Sequence, residues 1–349
     1  MTGRSKRPRL RDVAERSGVS LGTASNAFNR PELLSEALRE RVLAEAAALG
    51  YGGPDPVARR LRTGRAGALG LIFTDRLPFA FADPTATLFL RGVANGIEAT
   101  AAGLLVIPAT PGEEDGLKVV REAAVDGFLV YSTYRDDPRV AAALDRALPA
   151  VIVDEPYDAP TPFIGIDDRA AAREAALHVR GLGHERVAIL SFLEHAGDDP
   201  RNRFDITHAR MAGYRDGLGD AFDPELVGTA LPNSPVTGRV LFRELMQTAR
   251  PPTAVLAMAD SLAEGVLHEA RELGLAVPGD LSVVGFDDGP QAALTLPPLT
   301  TVRQPTERKG ELAASMLLEA IEAGGLPEPE RTLLPTELVV RGTSGRAPA

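Results

Sequence analysis

Residues 11–51 read RDVAERSGVSLGTASNAFNRPELLSEALRERVLAEAAALGY. Leu10, Val13 and Ala14 follow the apolar spacing of a helix, and the pattern stops at Gly18. Ser20 is placed to cap a second helix over about 20–28, with Ala24 and Phe28 facing inward, and Asn29-Arg30-Pro31 breaks it. Ser35 then caps a third helix to about Leu49, with Leu38, Val42, Leu43 and Ala46 on one face. Two short helices around a tight turn, closed by a third, form a helix-turn-helix module. Spacing alone does not separate it from any small helical subdomain; the residue identities do.

Asp12-Val13-Ala14, Ser17-Gly18-Val19-Ser20, Thr23-Ala24-Ser25, Asn29, Arg39 and Leu49-Gly50-Tyr51 stand in order along the segment. On these residues it resembles the DNA-binding domain of the lactose-repressor (LacI/GalR) family of transcription regulators. The resemblance implies that helix 20–28 enters the major groove of operator DNA, with Leu21, Gly22 and Asn26 facing the bases. It also implies that Ser20, Thr23, Ser25 and Asn29 anchor to phosphates, contacts that position the protein without reading sequence. Asn26 stands where many members carry Arg; Asn suits the N6/N7 edge of adenine and Arg the O6/N7 edge of guanine. Gly22 offers no side chain where the family often reads a base. The expected operator therefore differs from the family's commonest half-site.

Beyond this module, Gly52, Gly53, Pro54 and Pro56 make a flexible link, and Val57-Ala58-Arg59-Arg60-Leu61-Arg62 follows. The segment is similar to the family's hinge helix, which folds on operator DNA. That similarity implies DNA contacts from Ala58 in the minor groove, from the basic Arg59, and from Leu61 wedged between base pairs. Two departures are visible: the spacing from Tyr51 to Leu61 is one residue longer than usual, and Asp55 replaces a common Asn.

Charge divides the chain in the same place. Residues 1–64 hold 12 Lys+Arg against 7 Asp+Glu, while the remainder holds 26 against 41, so a basic head sits on an acidic body. Only the head is suited to a polyanion. A length of 349 residues suits two or three domains. The absence of cysteine excludes a disulfide framework, a thiolate zinc site, an iron–sulfur cluster and a cysteine nucleophile. No apolar run approaches a membrane span and no secretory signal segment follows the basic start, so a cytoplasmic protein without membrane partners is expected.

From Ala68 short apolar runs alternate with helical stretches. Ala68–Phe73, Leu104–Ile107, Gly127–Val130 and Ala150–Val153 read as one series of buried strands; Phe163–Ile166, Arg186–Leu190, Ala254–Met258 and Leu281–Phe286 read as a second. Helices between them imply two lobes of parallel sheet covered on both faces, with a cleft between. Ligands in such sheets bind beyond the carboxyl ends of the strands. That rule selects Ser191/Phe192, Ala259/Asp260 and Asp287/Asp288 in the second lobe, and Thr74–Phe81, Tyr131–Tyr134 and Asp154–Tyr157 in the first.

The resemblance continues in Gly183-His184-Glu185-Arg186-Val187-Ala188, Arg210-Met211-Ala212-Gly213-Tyr214, the run 282–288, the run 297–305 and the closing 335–344. It implies a fold class of an all-α helix-turn-helix domain followed by an α/β core of two Rossmann-like lobes, like periplasmic sugar-binding proteins. The expected domains are 1–52 for DNA binding, 53–65 for the hinge, 66–342 for effector binding and dimerisation, and a tail at 343–349. By the same resemblance lobe one takes 66–164 and 296–326, and lobe two takes 165–293 and 327–342. Arg210 matches the family's ligand-reaching arginine and Asp287 the acid opposite. A carboxylate that accepts from hydroxyls and a guanidinium that donates to them suit a polyol. Asp260 and the rings of Phe79, Phe81, Phe163 and Phe192 are secondary effector candidates. Ala259 replaces a common Asn, and 75–84 and 194–207 depart from the family pattern.

No phosphate loop, dinucleotide fingerprint, metal-binding helix or nucleophile elbow occurs. The five histidines show no ligand spacing, and His178 and His184 read as cations at a helix end. No catalytic residue, metal or cofactor is expected. The expected protein is a homodimeric, operator-binding regulator, a repressor controlled by a sugar-like effector. A stand-alone sugar-binding protein and an enzyme on tandem parallel sheets are the competing classes; the first lacks a signal segment, the second the motifs.

Overall fold

A computed structural model describes residues 8–53, 64–73, 77–108, 114–133, 135–192, 204–326 and 328–348. The chain forms two compact units that divide between Ala66 and Gly67.

The first unit contains α1 (Leu10–Ser17), α2 (Leu21–Asn29) and α3 (Glu36–Leu49). Gly18 and Gly50, both left-handed, end α1 and α3. Asp12 accepts from the Arg9 amide at 2.7 Å, and Ser20 Oγ accepts from the Thr23 amide at 3.0 Å, so both helix starts are satisfied by side chains. Ser35 sits at the start of α3 without a side-chain cap bond, contrary to its expected role. The core is small: Val13, Ala14, Ala24, Ala27, Val42 and Ala46 are buried. Ala27 takes the inward place expected of Phe28, whose ring instead seals the rim edge-on to Tyr51 at 5.6 Å.

The second unit holds two six-stranded sheets. In the first, β1 (Ala68–Phe73), β2 (Gly103–Pro108), β3 (Gly127–Tyr131), β4 (Ala150–Val153), β5 (Phe163–Gly165) and β11 (Arg331–Leu333) lie in the order β11-β5-β4-β3-β1-β2. In the second, β6 (Val187–Ser191), β7 (Val227–Thr229), β8 (Ala254–Ala257), β9 (Ser282–Asp287), β10 (Thr300–Arg303) and β12 (Glu337–Val339) lie in the order β12-β10-β9-β8-β6-β7. All pairs are parallel except β10 with β12. The central strands are uninterrupted apolar runs buried on both faces, as parallel sheets require.

Helices α4 (Leu77–Ala82), α5 (Pro84–Ile97), α6 (Glu114–Glu122) and α7 (Pro138–Leu144) belong to the first lobe. Helices α8 (Asp168–Gly181), α9 (Asp205–Leu218), α10 (Pro235–Leu245) and α11 (Asp260–Glu272) belong to the second, and α12 (Thr306–Ala323) returns to the first. Pairs of these helices touch backbone to backbone. A Cβ on Gly92 of α5 would lie 1.9 Å from the Glu307 carbonyl of α12, and one on Gly213 of α9 would lie 2.2 Å from the Arg169 carbonyl of α8. Only glycine permits either approach.

The lobe boundaries differ from those expected. Strand 300–303 belongs to the second sheet, where it pairs with β9 and places Val302 in that lobe's core. The crossing comes after it, and α12 then buries Ala313, Ala314 and Leu317 in the first lobe. Strand β11 extends the first sheet before the chain crosses again to β12. Residues past 342 are not a free tail. Thr343 is fully buried, donates to the Val283 carbonyl at 2.7 Å and accepts from the Thr300 amide at 2.8 Å.

His178 and His184 also depart from expectation. His184 is buried, with Nδ1 2.9 Å from Thr253 Oγ1 and Nε2 3.0 Å from Ser282 Oγ and 3.1 Å from the Gly345 carbonyl. His178 Nε2 lies 2.9 Å from Ser344 Oγ. Burial lowers the pKa of both, so they are neutral hydrogen-bonding bridges to the chain's end and not helix-end cations.

Candidate recognition helix and ligand cleft

The outward face of α2 is polar and small. Leu21 is 54% exposed at its start, Gly22 is exposed, and Ser25, Asn26 and Asn29 are half-buried. Ser20 Oγ and Thr23 Oγ1 lie 2.8 Å apart, so the pair uses one hydroxyl proton between them and keeps one to donate outward. Asn29 Nδ2 donates to the Ser25 carbonyl at 3.0 Å and to Ser25 Oγ at 3.2 Å, which leaves the Ser25 hydroxyl proton available. Phosphate oxygens only accept, so these outward donors suit a phosphate backbone. The hinge residues Ala58, Arg59 and Leu61 lie outside the described residues.

In the second unit the parallel strands of both lobes end at one cleft. Four of the non-glycine residues with left-handed backbones sit at these ends: Ser132 (φ 48°), Asp154 (φ 67°), Asp287 (φ 119°) and Asp288 (φ 54°). Such conformations cost about 1–3 kcal/mol each and gather where a site needs a side chain aimed off the sheet. Three of the four line a cavity of about 200 Å³ between the lobes. Its aromatic wall includes Tyr131, stacked on Phe89 at 3.8 Å and 5.3 Å from Phe73.

Arg210, in the first turns of α9, is buried at the cleft wall. Its Nε donates to Asp168 Oδ1 at 2.8 Å, its Nη1 to the Met258 carbonyl at 2.6 Å, and its plane lies 3.7 Å from the Phe286 ring. Burial opposes its charge, but Asp168 and Asp287 outweigh burial and hold it above its ordinary pKa. Asp287 Oδ2 accepts from the Thr85 hydroxyl of the first lobe at 3.1 Å, and Oδ1 accepts from Gln304 Nε2 at 2.5 Å. Burial, partly offset by Arg210, pushes its pKa up to about 6. The structure thus brings Arg210 and Asp287 together at one cavity.

The network runs on through Gln304, whose Oε1 accepts at 2.6 Å from the ammonium of Lys309, a fully buried lysine of α12. Lys309 also pairs with Asp154. Burial keeps Asp154 above the usual carboxylate range even against Lys309. A second inter-lobe clamp holds the start of α9. Glu155 accepts from the Asp205 amide at 2.6 Å and the Ser132 hydroxyl at 3.1 Å, while Asp205 accepts from Arg135 Nε at 2.7 Å. Burial pushes Glu155 well above its ordinary pKa.

The other sequence candidates fall unevenly. Phe192 lines the cleft, as does Ala259. Asp260 does not: Oδ1 accepts from Thr301 Oγ1 at 2.6 Å and Oδ2 from the Gly289 amide at 2.8 Å, so it braces the loop after β9. Phe163 is a core residue under Arg331, whose guanidinium lies 4.1 Å from its ring. Phe81 is 64% exposed and away from the cavity lining. Phe79 is on α4, and its side chain lies outside the described residues. Lys309, Gln304 and Thr85 were not among the expected site residues. Asp83 was not either; it lines the cavity and caps α5 through the Ala86 amide at 3.1 Å.

A helix-turn-helix module joined to a two-lobed α/β core with an inter-lobe cleft defines a DNA-binding transcription regulator. The family model "Bacterial regulatory proteins, lacI family" matches residues 9–53, and a "Periplasmic binding protein-like domain" model matches 176–344. The HTH-type transcriptional regulator Rv3575c of Mycobacterium tuberculosis is 41% identical, over 99% of this chain and 98% of its own length. The HTH-type transcriptional regulator IpsA of Corynebacterium glutamicum is 39% identical over 90% and 91%. Among solved structures, the Lac repressor dimer bound to operator and the anti-inducer ONPF has a TM-score of 0.80 at 26% identity, covering 97% of this chain and 100% of its own. The complex of the transcriptional regulator CelR with cellobiose has 0.71 at 29%, with the same coverage. The chain belongs to the LacI family, whose members are transcription regulators and not enzymes. No helix among the described residues is long and apolar enough to cross a membrane.

Proposed function

We propose that the chain is a cytoplasmic repressor that binds a pseudo-palindromic operator as a homodimer and responds to a sugar-like polyol in the inter-lobe cleft. The observation that carries the ligand reading is that Arg210 and Asp287 line one cavity walled by Tyr131, Phe73 and Phe192. Carboxylates accept from hydroxyls, guanidinium donates to them, and aromatic faces cover the apolar side of a ring. That the similar regulator CelR was solved in complex with cellobiose supports a sugar as the class of ligand. The DNA reading rests on α2, with Ser20, Thr23 and Ser25 toward phosphates, Asn29 spending both amide N–H groups on Ser25 and so orienting it, and Leu21, Gly22 and Asn26 toward bases.

A second copy of the chain would cover apolar surface that the second lobe leaves open: Val236, Leu294 and Leu296 are 71%, 77% and 93% exposed. Ligand binding acts on operator affinity only through its differential affinity for the two lobe arrangements. Paired Leu61 wedges would kink the operator centre, so Leu61→Ala is expected to weaken specific but not non-specific binding. The testing experiment is a melt of the full chain against sugars, sugar phosphates, polyols, nucleosides and nucleobases. A ligand at 100 times its Kd adds about 2.7 kcal/mol, a visible shift. A shift with a sugar or polyol that Arg210→Met removes supports the reading. A shift with none of these, or one that survives Arg210→Met, overturns it.

A further inference from the structure

The outward face of α2 carries two asparagines in different states. Asn29 is tied to Ser25 by its amide nitrogen. The Asn26 amide has no hydrogen-bond partner among the described residues. At about 100° per residue, Asn26 lies about 160° from Ala24 and about 100° from Ala27, the two residues buried in the module's core, and so sits off the packed face. No hydrogen bond among the described residues of the module engages the Asn26 side chain.

A helical side chain leans toward the N-terminus and covers the turn before its own Cα. For Asn26 that turn holds Gly22. Glycine is the poorest helix former after proline, so a helical glycine calls for a reason. None lies within the module: the Gly22 backbone is not left-handed, and an added Cβ would meet nothing closer than Ser20 Oγ at 3.7 Å. Helical glycines of the second unit such as Gly92 and Gly213 are there because a Cβ would strike a carbonyl of the neighbouring helix. Gly22 faces open space instead, so its missing side chain serves something that approaches from outside. It does so in the first turn of the helix, the part that meets base edges in helix-turn-helix proteins.

We propose that Gly22 and Asn26 act as one unit: Gly22 is a notch that lets the Asn26 amide reach a base edge, and Asn26 reads an adenine in each half-site. Oδ1 accepts from adenine N6 and Nδ2 donates to N7, the bidentate pairing that an amide makes with this base alone. The inference rests on the DNA-regulator reading above and deepens it. Asn29, with its amide nitrogen shared between two Ser25 oxygens, does not compete for that role.

The test selects duplexes from a randomised library with the full wild-type chain, then compares wild type, Asn26→Ala and Gly22→Ala on the selected duplex and its single-base variants at fixed salt. Wild type should prefer adenine at one position of each half-site by about 5- to 150-fold. Asn26→Ala should lose that preference while the remaining positions and non-specific binding hold. Gly22→Ala should melt at or above wild type, because alanine is the better helix former, and yet lose preference at the same base pair. A purely structural role for Gly22 moves stability and all base preferences in one direction, so the opposed signs are diagnostic. Unchanged preference in Asn26→Ala, a base other than adenine at the Asn26-dependent position, or a Gly22→Ala variant with every preference intact overturns the proposal. A wild-type selection with no consensus overturns the DNA-regulator reading itself.

Discussion

Replacing Lys309 with methionine removes a buried positive charge from the cleft network. The side chain is fully buried, and its ammonium serves both Asp154 at the end of β4 and Gln304 at the lobe crossing. Methionine keeps the length and apolar volume, so cavity formation is minor and the loss is electrostatic. Breaking a buried pair by removing one partner costs about 3–5 kcal/mol, because the other charge is left buried alone. At roughly 2–4 °C per kcal/mol for a unit of this size, Lys309→Met should melt about 6–20 °C below wild type. Removing both charges is a different matter: Lys309→Met with Asp154→Asn should recover most of the loss, since replacing a whole buried pair is often close to neutral.

The pH dependence supplies a second check on the same variant. Burial already raises Asp154 with Lys309 in place, and losing Lys309 raises it further. A carboxyl whose folded pKa exceeds its unfolded value, about 3.9, keeps its stability contribution below that value and loses it as pH rises through the folded pKa. The deficit of Lys309→Met should therefore be larger at about pH 8 than at about pH 5. Thermal melts of wild type, both single variants and the double variant at the two pH values make the measurement. A double variant no more stable than Lys309→Met, or a deficit equal at both pH values, would refute the buried-pair account.

Arg210→Met leaves Asp168 without its cation, so it should both lower the melting temperature and abolish the ligand-induced shift; a retained shift means the ligand binds elsewhere. His178 and His184 are depressed by burial, so their contribution is present above the unfolded pKa of about 6.5 and lost as pH falls through the folded values. His184→Gln should flatten that acid limb in a pH series of melts, and an unchanged limb would remove the histidines from the explanation. Gly213→Ala should destabilise by about 1–3 kcal/mol in denaturant melts, because its Cβ would meet the Arg169 carbonyl. Gly181→Ala, with nothing within 4 Å, should not; similar values for both would undo the close-approach argument.

What was legible in the sequence follows from which signals are local. Strands β1 to β4 could be read because parallel strands buried on both faces are unbroken apolar runs, as in Ala68–Phe73 and Ala150–Val153. Strand β5 was read as a strand but placed in the second series, whereas it pairs with β4 in the first sheet, a pairing that a local apolar run does not encode. Arg210 and Asp287 were reachable through resemblance and through the rule that sites lie past strand ends. Strands β7, β11 and β12 were not: each has three residues with half-buried or exposed side chains and no alternation long enough to count. Lys309 was hidden for a different reason. In TERKGELAAS it looks like one more solvated charge, and it is buried because α12 lies hard against α5, a contact set by residues more than 200 positions apart. Asp83 alone left a trace, an acid just before Pro84 at a helix start.

Asp287 already holds two donors, Thr85 and Gln304, and Arg210 is already tied to Asp168 and the Met258 main-chain carbonyl, which decides what kind of ligand the cleft selects. A ligand that only fills space leaves these bonds in place and has no hold on either lobe. A ligand that displaces Thr85 from Asp287 must return a donor there, because a buried acceptor left unpaired costs about 1–3 kcal/mol. Polyols meet that condition and their deoxy analogues do not, so discrimination at this site should track the hydroxyl facing Asp287. Thr85 belongs to the first lobe and Asp287 to the second, so the same exchange also breaks a direct inter-lobe bond and replaces it with one through the ligand. Recognition and the change in lobe arrangement then draw on a single hydrogen bond, which Thr85→Val tests. Without its hydroxyl the ligand no longer competes with an internal donor, so affinity should rise while the difference between polyol and deoxy analogue persists. Unchanged affinity would mean that Asp287 meets the ligand without releasing Thr85.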